Sequence, residues 1–77
     1  MIQYKNIECN PNVMFGKPVI KGTRVTVELI LRKLSVGLTP EEIVEEHPTI
    51  KTKDILEAQA YAADLLAGEE IFFARSA

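Results

Sequence analysis

Apolar residues repeat with two different periods along this chain, and the change of period falls inside one stretch, Gly16 to Leu34. In "PVIKGTRVTV", Val19, Thr23, Val25 and Val27 are the β-branched residues that a pleated, half-buried surface favours. Two short extended pieces are expected there, forming a hairpin around Lys21-Gly22, where glycine accepts the positive φ of a tight turn. From Val27 the spacing turns helical, with Val27, Ile30, Leu31 and Leu34 at i, i+3, i+4 and i+7. Thr26 stands before that stripe as an N-cap and Gly37 after it as a left-handed C-terminal cap, which predicts a first helix over about Val27 to Val36.

"LTPEEIVEEHP" predicts a second, short helix, Pro40 to Glu46. Thr39 is its N-cap, Pro40 occupies the first helical position, Glu42 completes a capping box and Pro48 ends it, with Ile43 and Val44 as the buried contacts. "IKTKDILEAQAYAADLLAG" predicts a third and longest helix, capped by Thr52 and stopped at Gly68. Ile55, Ala58, Ala62 and Leu65 form one stripe that can pack on the first two helices; Leu56, Ala60, Ala63 and Ala67 form a neighbouring stripe of mostly small residues. The first fifteen residues are weakly patterned, with turn chemistry at Asn10-Pro11-Asn12 and a short edge strand conceivable in "QYKNI". The fold class that follows is mainly α: a three-helix, helix-turn-helix bundle, homeodomain-like or winged-helix-like, preceded by a short N-terminal β-hairpin. One domain is expected over residues 1–77, divided into an extended segment (1–26), the bundle (27–68) and an apolar tail (69–77).

A chain of 77 residues buries only about 60% of its unfolded surface, so it needs support from outside its own core. A single cysteine, Cys9, permits no internal disulfide, and a single histidine, His47, leaves no all-protein zinc site; association with another subunit is the remaining route, and a homodimer is expected. The opening "MIQYKNIECN" has no secretory-signal pattern, and no apolar stretch approaches the roughly 20 residues of a membrane span, which predicts a cytoplasmic protein that does not enter a membrane. The tail residues Ile71, Phe72 and Phe73 are worth roughly 1.5–3 kcal/mol each if buried, and are the expected partner-binding residues.

Formal charge is −2, yet it is unevenly spread. Lys17, Lys21, Arg24, Arg32 and Lys33 face a single acid, Glu28, between positions 17 and 33, whereas Glu41, Glu42, Glu45 and Glu46 stand together without a base. In a tri-helical helix-turn-helix unit the last helix enters the major groove while the helix before it crosses the backbone. Lys51, Lys53, Glu57 and Gln59 would then read DNA from the start of helix three, and the five cations around the glycine turn would contact phosphates. Against this stand the acids of helix three, Asp54, Glu57 and Asp64. No catalytic, cofactor-binding or metal-binding residues are assigned: Cys9 lacks a partner motif, His47 is placed to complement a helix dipole, and Gly16 to Gly22 lacks the context of a phosphate loop. The chain is not expected to be an enzyme.

The segment "GKPVIKGTRVTVELILRKLSVGLTPEEIVEEHPTIKTKDILEAQAYA" resembles the family catalogued as domain of unknown function 433. The likeness covers roughly Asn12 to Ala63, and its specific part is the block Gly16, Lys17, Pro18, Val19, Ile20, Gly22, Thr23 and Arg24. The resemblance implies a homeodomain-like helix-turn-helix fold. It also implies an antitoxin that neutralises a PIN-like ribonuclease toxin and represses its own operator DNA. The alternative is a protein-interaction or dimerisation module that never touches DNA. Two copies would associate through the hairpin segment or through helix three.

Overall fold

The computed structural model describes the backbone of residues 4–76 and the side chains of residues 4–68. It contains two short strands, β1 (Ile7–Cys9) and β2 (Pro18–Ile20), followed by three helices, α1 (Val27–Ser35), α2 (Pro40–Glu46) and α3 (Thr52–Ser76). The strands pair antiparallel with Ile7 opposite Ile20, Glu8 opposite Val19 and Cys9 opposite Pro18. Proline can occupy this place because it is the first residue of its strand.

This hairpin is not the one that alternation around Lys21-Gly22 predicts. The turn is present, with Gly22 at φ 79°, but beyond it only an isolated bridge between Val19 and Thr26 continues the pairing. The reason lies in threonine chemistry. The Thr23 hydroxyl donates to the Ile20 carbonyl at 2.8 Å and accepts from the Val25 amide at 3.0 Å, so local bonds replace a regular ladder. Thr26 is then committed to α1, where its side chain accepts from the Leu29 amide at 3.0 Å. β2 therefore takes its partner from the N-terminal segment.

The first two helices form as their end signals dictate. After α1 the Leu38 amide donates to the Lys33 carbonyl and the Gly37 amide to the Leu34 carbonyl, a Schellman closure that places Gly37 at φ 100°. In α2 Thr39 and Glu42 make both bonds of the capping box, at 2.8 and 3.1 Å. The start of α3 differs from expectation. Thr52 is its first helical residue, and Asp54 performs the capping, its buried carboxylate accepting from the Lys51 amide at 2.9 Å. The end differs too: helical backbone runs through Gly68 to Ser76, since a glycine inside a long helix costs only about 1 kcal/mol relative to alanine.

The core gathers side chains from β2, the three helices and the turns between them: Ile20, Val25, Val27, Ile30, Ile43, Ile50, Ile55 and Ala58 are all buried, and Ile7 of β1 packs against them half-buried. Ile50 lies in the turn between α2 and α3 and is 1% exposed, so that turn is anchored by a core residue.

Candidate functional site

Of the eight Lys, Arg and Gln residues expected to contact DNA, three are engaged in ion pairs. Glu28 sits in the first turn of α1, where the helix dipole favours an acid. Its carboxylate accepts from Lys17 Nζ at 3.1 Å and from the Arg32 guanidinium at 3.2 Å. The hydrogen bond from Lys17, and then that from Arg32, hold the Glu28 carboxyl below its ordinary range. Lys33 pairs with Glu46 and ties the end of α1 to the end of α2; that hydrogen bond lowers the Glu46 carboxyl in turn. Lys17, Arg32 and Lys33, expected at phosphates, thus each form an ion pair with an acid of the same chain.

The other five lie elsewhere. Lys21 and Arg24 are exposed on either side of the glycine turn, and Lys51 and Lys53 are exposed at the start of α3; none of the four forms an ion pair among the described residues. Gln59 is exposed further along α3. Lys53, Leu56, Gln59, Ala60 and Ala63 follow the helical repeat and are all exposed, so they share the outward face of α3. Leu56 is 63% exposed.

Between Thr52 and Gly68 the acids of α3, Asp54, Glu57 and Asp64, lie along an adjoining stripe, at i, i+3 and i+10. Asp54 is buried as the cap. Glu57 accepts from the Asn6 amide at 3.0 Å and from Asn6 Nδ2 at 3.2 Å, so it holds the N-terminal segment and is not a base reader. Asp64 accepts from the Tyr4 hydroxyl, and the Tyr4 ring meets the Tyr61 ring edge-on with centroids 5.5 Å apart. Of these three acids on a would-be recognition helix, the fold buries Asp54 and engages the half-buried Glu57 and Asp64 with the N-terminal segment. Their common spacing with Tyr61 is the signal from which this could have been read.

Alongside β2, α1 and α3 lies an open groove of about 450 Å³, lined chiefly by Pro18, Val27, Leu31, Tyr61, Ala62 and Leu65. Its walls are almost wholly apolar, and Glu28 and Arg32 stand at its margin. Burial, then the neighbouring Cys9 thiol, push the Tyr61 hydroxyl up. Among the described residues no group of three His, Cys, Asp or Glu side chains could hold a metal ion, and no helix is long and apolar enough to cross a membrane. His47 caps the end of α2 as expected from its position, with Nε2 buried and without a partner among the described residues. Ile71, Phe72 and Phe73, the expected partner-binding residues, lie outside the described side chains.

A family model described as a protein of unknown function (DUF433) matches residues 7–62. No curated protein and no solved structure matches the chain.

Proposed function

The chain belongs to the DUF433 family, and on that footing we propose that it is a non-enzymatic, cytoplasmic regulator of the antitoxin kind, a helix-turn-helix dimer that binds operator DNA and a PIN-like ribonuclease partner. One observation carries the DNA reading. Between Thr52 and Gly68 the outward face of α3 bears Lys53, Leu56, Gln59, Ala60 and Ala63 and no acid, because Asp54 is buried and Glu57 and Asp64 bond to the N-terminal segment. Such a face can enter a major groove: Gln59 offers a bidentate pair for adenine, Leu56 and the alanines offer apolar contact to thymine methyls, and Lys51 and Lys53 lie where phosphates would pass. Lys21 and Arg24 add two further cations at the hairpin turn. Lys17, Arg32 and Lys33 are left out of the interface, since each already pairs with Glu28 or Glu46. The ribonuclease partner is proposed for the C-terminal half of α3, where Leu66 is 75% exposed, and for the segment with Ile71, Phe72 and Phe73 beyond it.

A second reading, a protein-interaction or dimerisation module that never binds DNA, is favoured by α2. Glu41 and Glu45 are exposed there and unpaired among the described residues, on the helix that would cross the phosphate backbone. A gel shift on the DNA upstream of the coding sequence, at two salt concentrations, separates the two. For the DNA reading, affinity falls steeply with salt, and Lys51→Ala with Lys53→Ala lowers the salt slope by about 0.9 per lost phosphate contact. Lys17→Ala leaves that slope unchanged. No shift at low salt selects the second reading.

A further inference from the structure

Two features near β2 remain unused by DNA or ribonuclease binding. The first is Phe15, 95% exposed. Met14, Phe15 and Gly16 take successive left-handed conformations, with φ of 49°, 58° and 82°. Only the last is a glycine, so two side-chain-bearing residues are held in a backbone region that L residues disfavour. Turn bonds secure them: the Gly16 amide donates to the Val13 carbonyl at 3.0 Å and the Lys17 amide to the Met14 carbonyl at 3.1 Å. The result is an aromatic ring held out into solvent by a constrained loop. The second feature is the apolar groove of about 450 Å³ whose wall begins at Pro18, only three residues further on. Three residues of chain span at most about 11 Å, so projection and groove are neighbours.

We propose that Phe15 of one copy seats in the groove of a second copy, so that two reciprocal contacts form a two-fold dimer. Three observations favour a second copy as the occupant. An isologous interface requires a feature and its complement side by side around the axis, and these two are separated by three residues. The loop from Asn10 to Gly16 carries no charged residue, so seating it in an apolar groove strands no ion. The groove margin carries both signs, with Glu28 between Lys17 and Arg32, so it can face its own symmetry mate without like-charge repulsion. This specifies the interface of the dimer on which the proposed function rests.

The test uses the full chain, by sedimentation equilibrium. Wild type is expected to be a dimer. Phe15→Ala removes the projection and Ala62→Trp fills the groove; each is expected to weaken the dimer by about tenfold or more, as loss of an aromatic anchor does. Circular dichroism checks that both variants remain folded. An equimolar mixture of the two is expected to recover part of the association, because the intact groove of one accepts the intact Phe15 of the other. A monomeric wild type, a dimer indifferent to both substitutions, or a mixture no better than either variant alone would each overturn the proposal. The gel shift reports separately on DNA: a Phe15-dependent dimer that never shifts DNA sinks the DNA reading and leaves this interface standing.

Discussion

Two successive stretches of α3, Thr52–Ala58 and Gln59–Gly68, both carry apolar residues and have different surroundings. In Thr52–Ala58, Asp54, Ile55 and Ala58 are buried; in Gln59–Gly68, Tyr61 and Ala62 are half-buried while Leu65 and Leu66 are exposed, at 45% and 75%. Hydrophobicity does not separate them, since each half has its leucines and alanines. Length does. At about 1.5 Å per residue, the 9 residues of α1 and the 7 of α2 reach only some 10–14 Å along their neighbour. Further along, Tyr4 packs on Tyr61 and the open groove runs beside Ala62 and Leu65. The core of a small bundle is set by its shortest helices, and part of the longest is left as exposed apolar surface.

That contrast can be broken most severely by truncating one side chain in each half. Ile55→Ala, at a fully buried position, is expected to destabilise the fold by about 2–5 kcal/mol. Leu66→Ala should change stability by no more than about 0.5 kcal/mol. Denaturant titration of both variants at low protein concentration checks this, and an equal cost for the two would mean that the second half of α3 is covered after all.

A smaller effect is expected from Glu57→Ala, which removes the acceptor shared by the Asn6 amide and Asn6 Nδ2. About 1 kcal/mol should be lost, a partly solvated share of a charge-assisted bond, with amide exchange accelerating in β1 before it does in α1. Uniform acceleration throughout the chain would show that the N-terminal segment is not a separate clamp.

The smallest concerns charge on the surface of α1. Lys17, and then Arg32, hold the folded-state pKa of Glu28 below its ordinary value, so its contribution to stability is present above the unfolded carboxylate value, about pH 4.3, and is lost as pH falls through the lower folded value. Glu28→Gln should therefore flatten the melting temperature against pH in the acid range and leave it nearly unchanged at pH 7, because exposed pairs contribute little. A large drop at neutral pH would contradict this.

Helix ends were legible because each is decided within a few residues. Thr26, Gly37 and the Thr39–Glu42 box act where they stand, through bonds to amides and carbonyls no more than five positions away. Thr52 misled because two capping chemistries lie side by side, and the buried Asp54 takes the role. The hairpin misled because alternation indicates extended backbone and leaves the partner strand open; the threonines bend it away, and Ile7–Cys9 supplies the pairing. Candidate cations could be named from the sequence, but not their availability. Lys17 meets Glu28 across eleven positions and Lys33 meets Glu46 across thirteen.

By itself, then, the sequence determined the three helices, the glycine turn, the helical core residues Val27, Ile30, Ile43, Ile55 and Ala58 and the residue types able to meet DNA, because propensity, capping and periodicity act over one or two turns of chain. Tertiary structure alone decided which strand pairs with β2, which cations are spent on acids, which way the acids of α3 point, and that Phe15 stands beside an open apolar groove. Those outcomes depend on residues far apart in the chain being brought within a few ångströms, and a distance of that kind has no local signature.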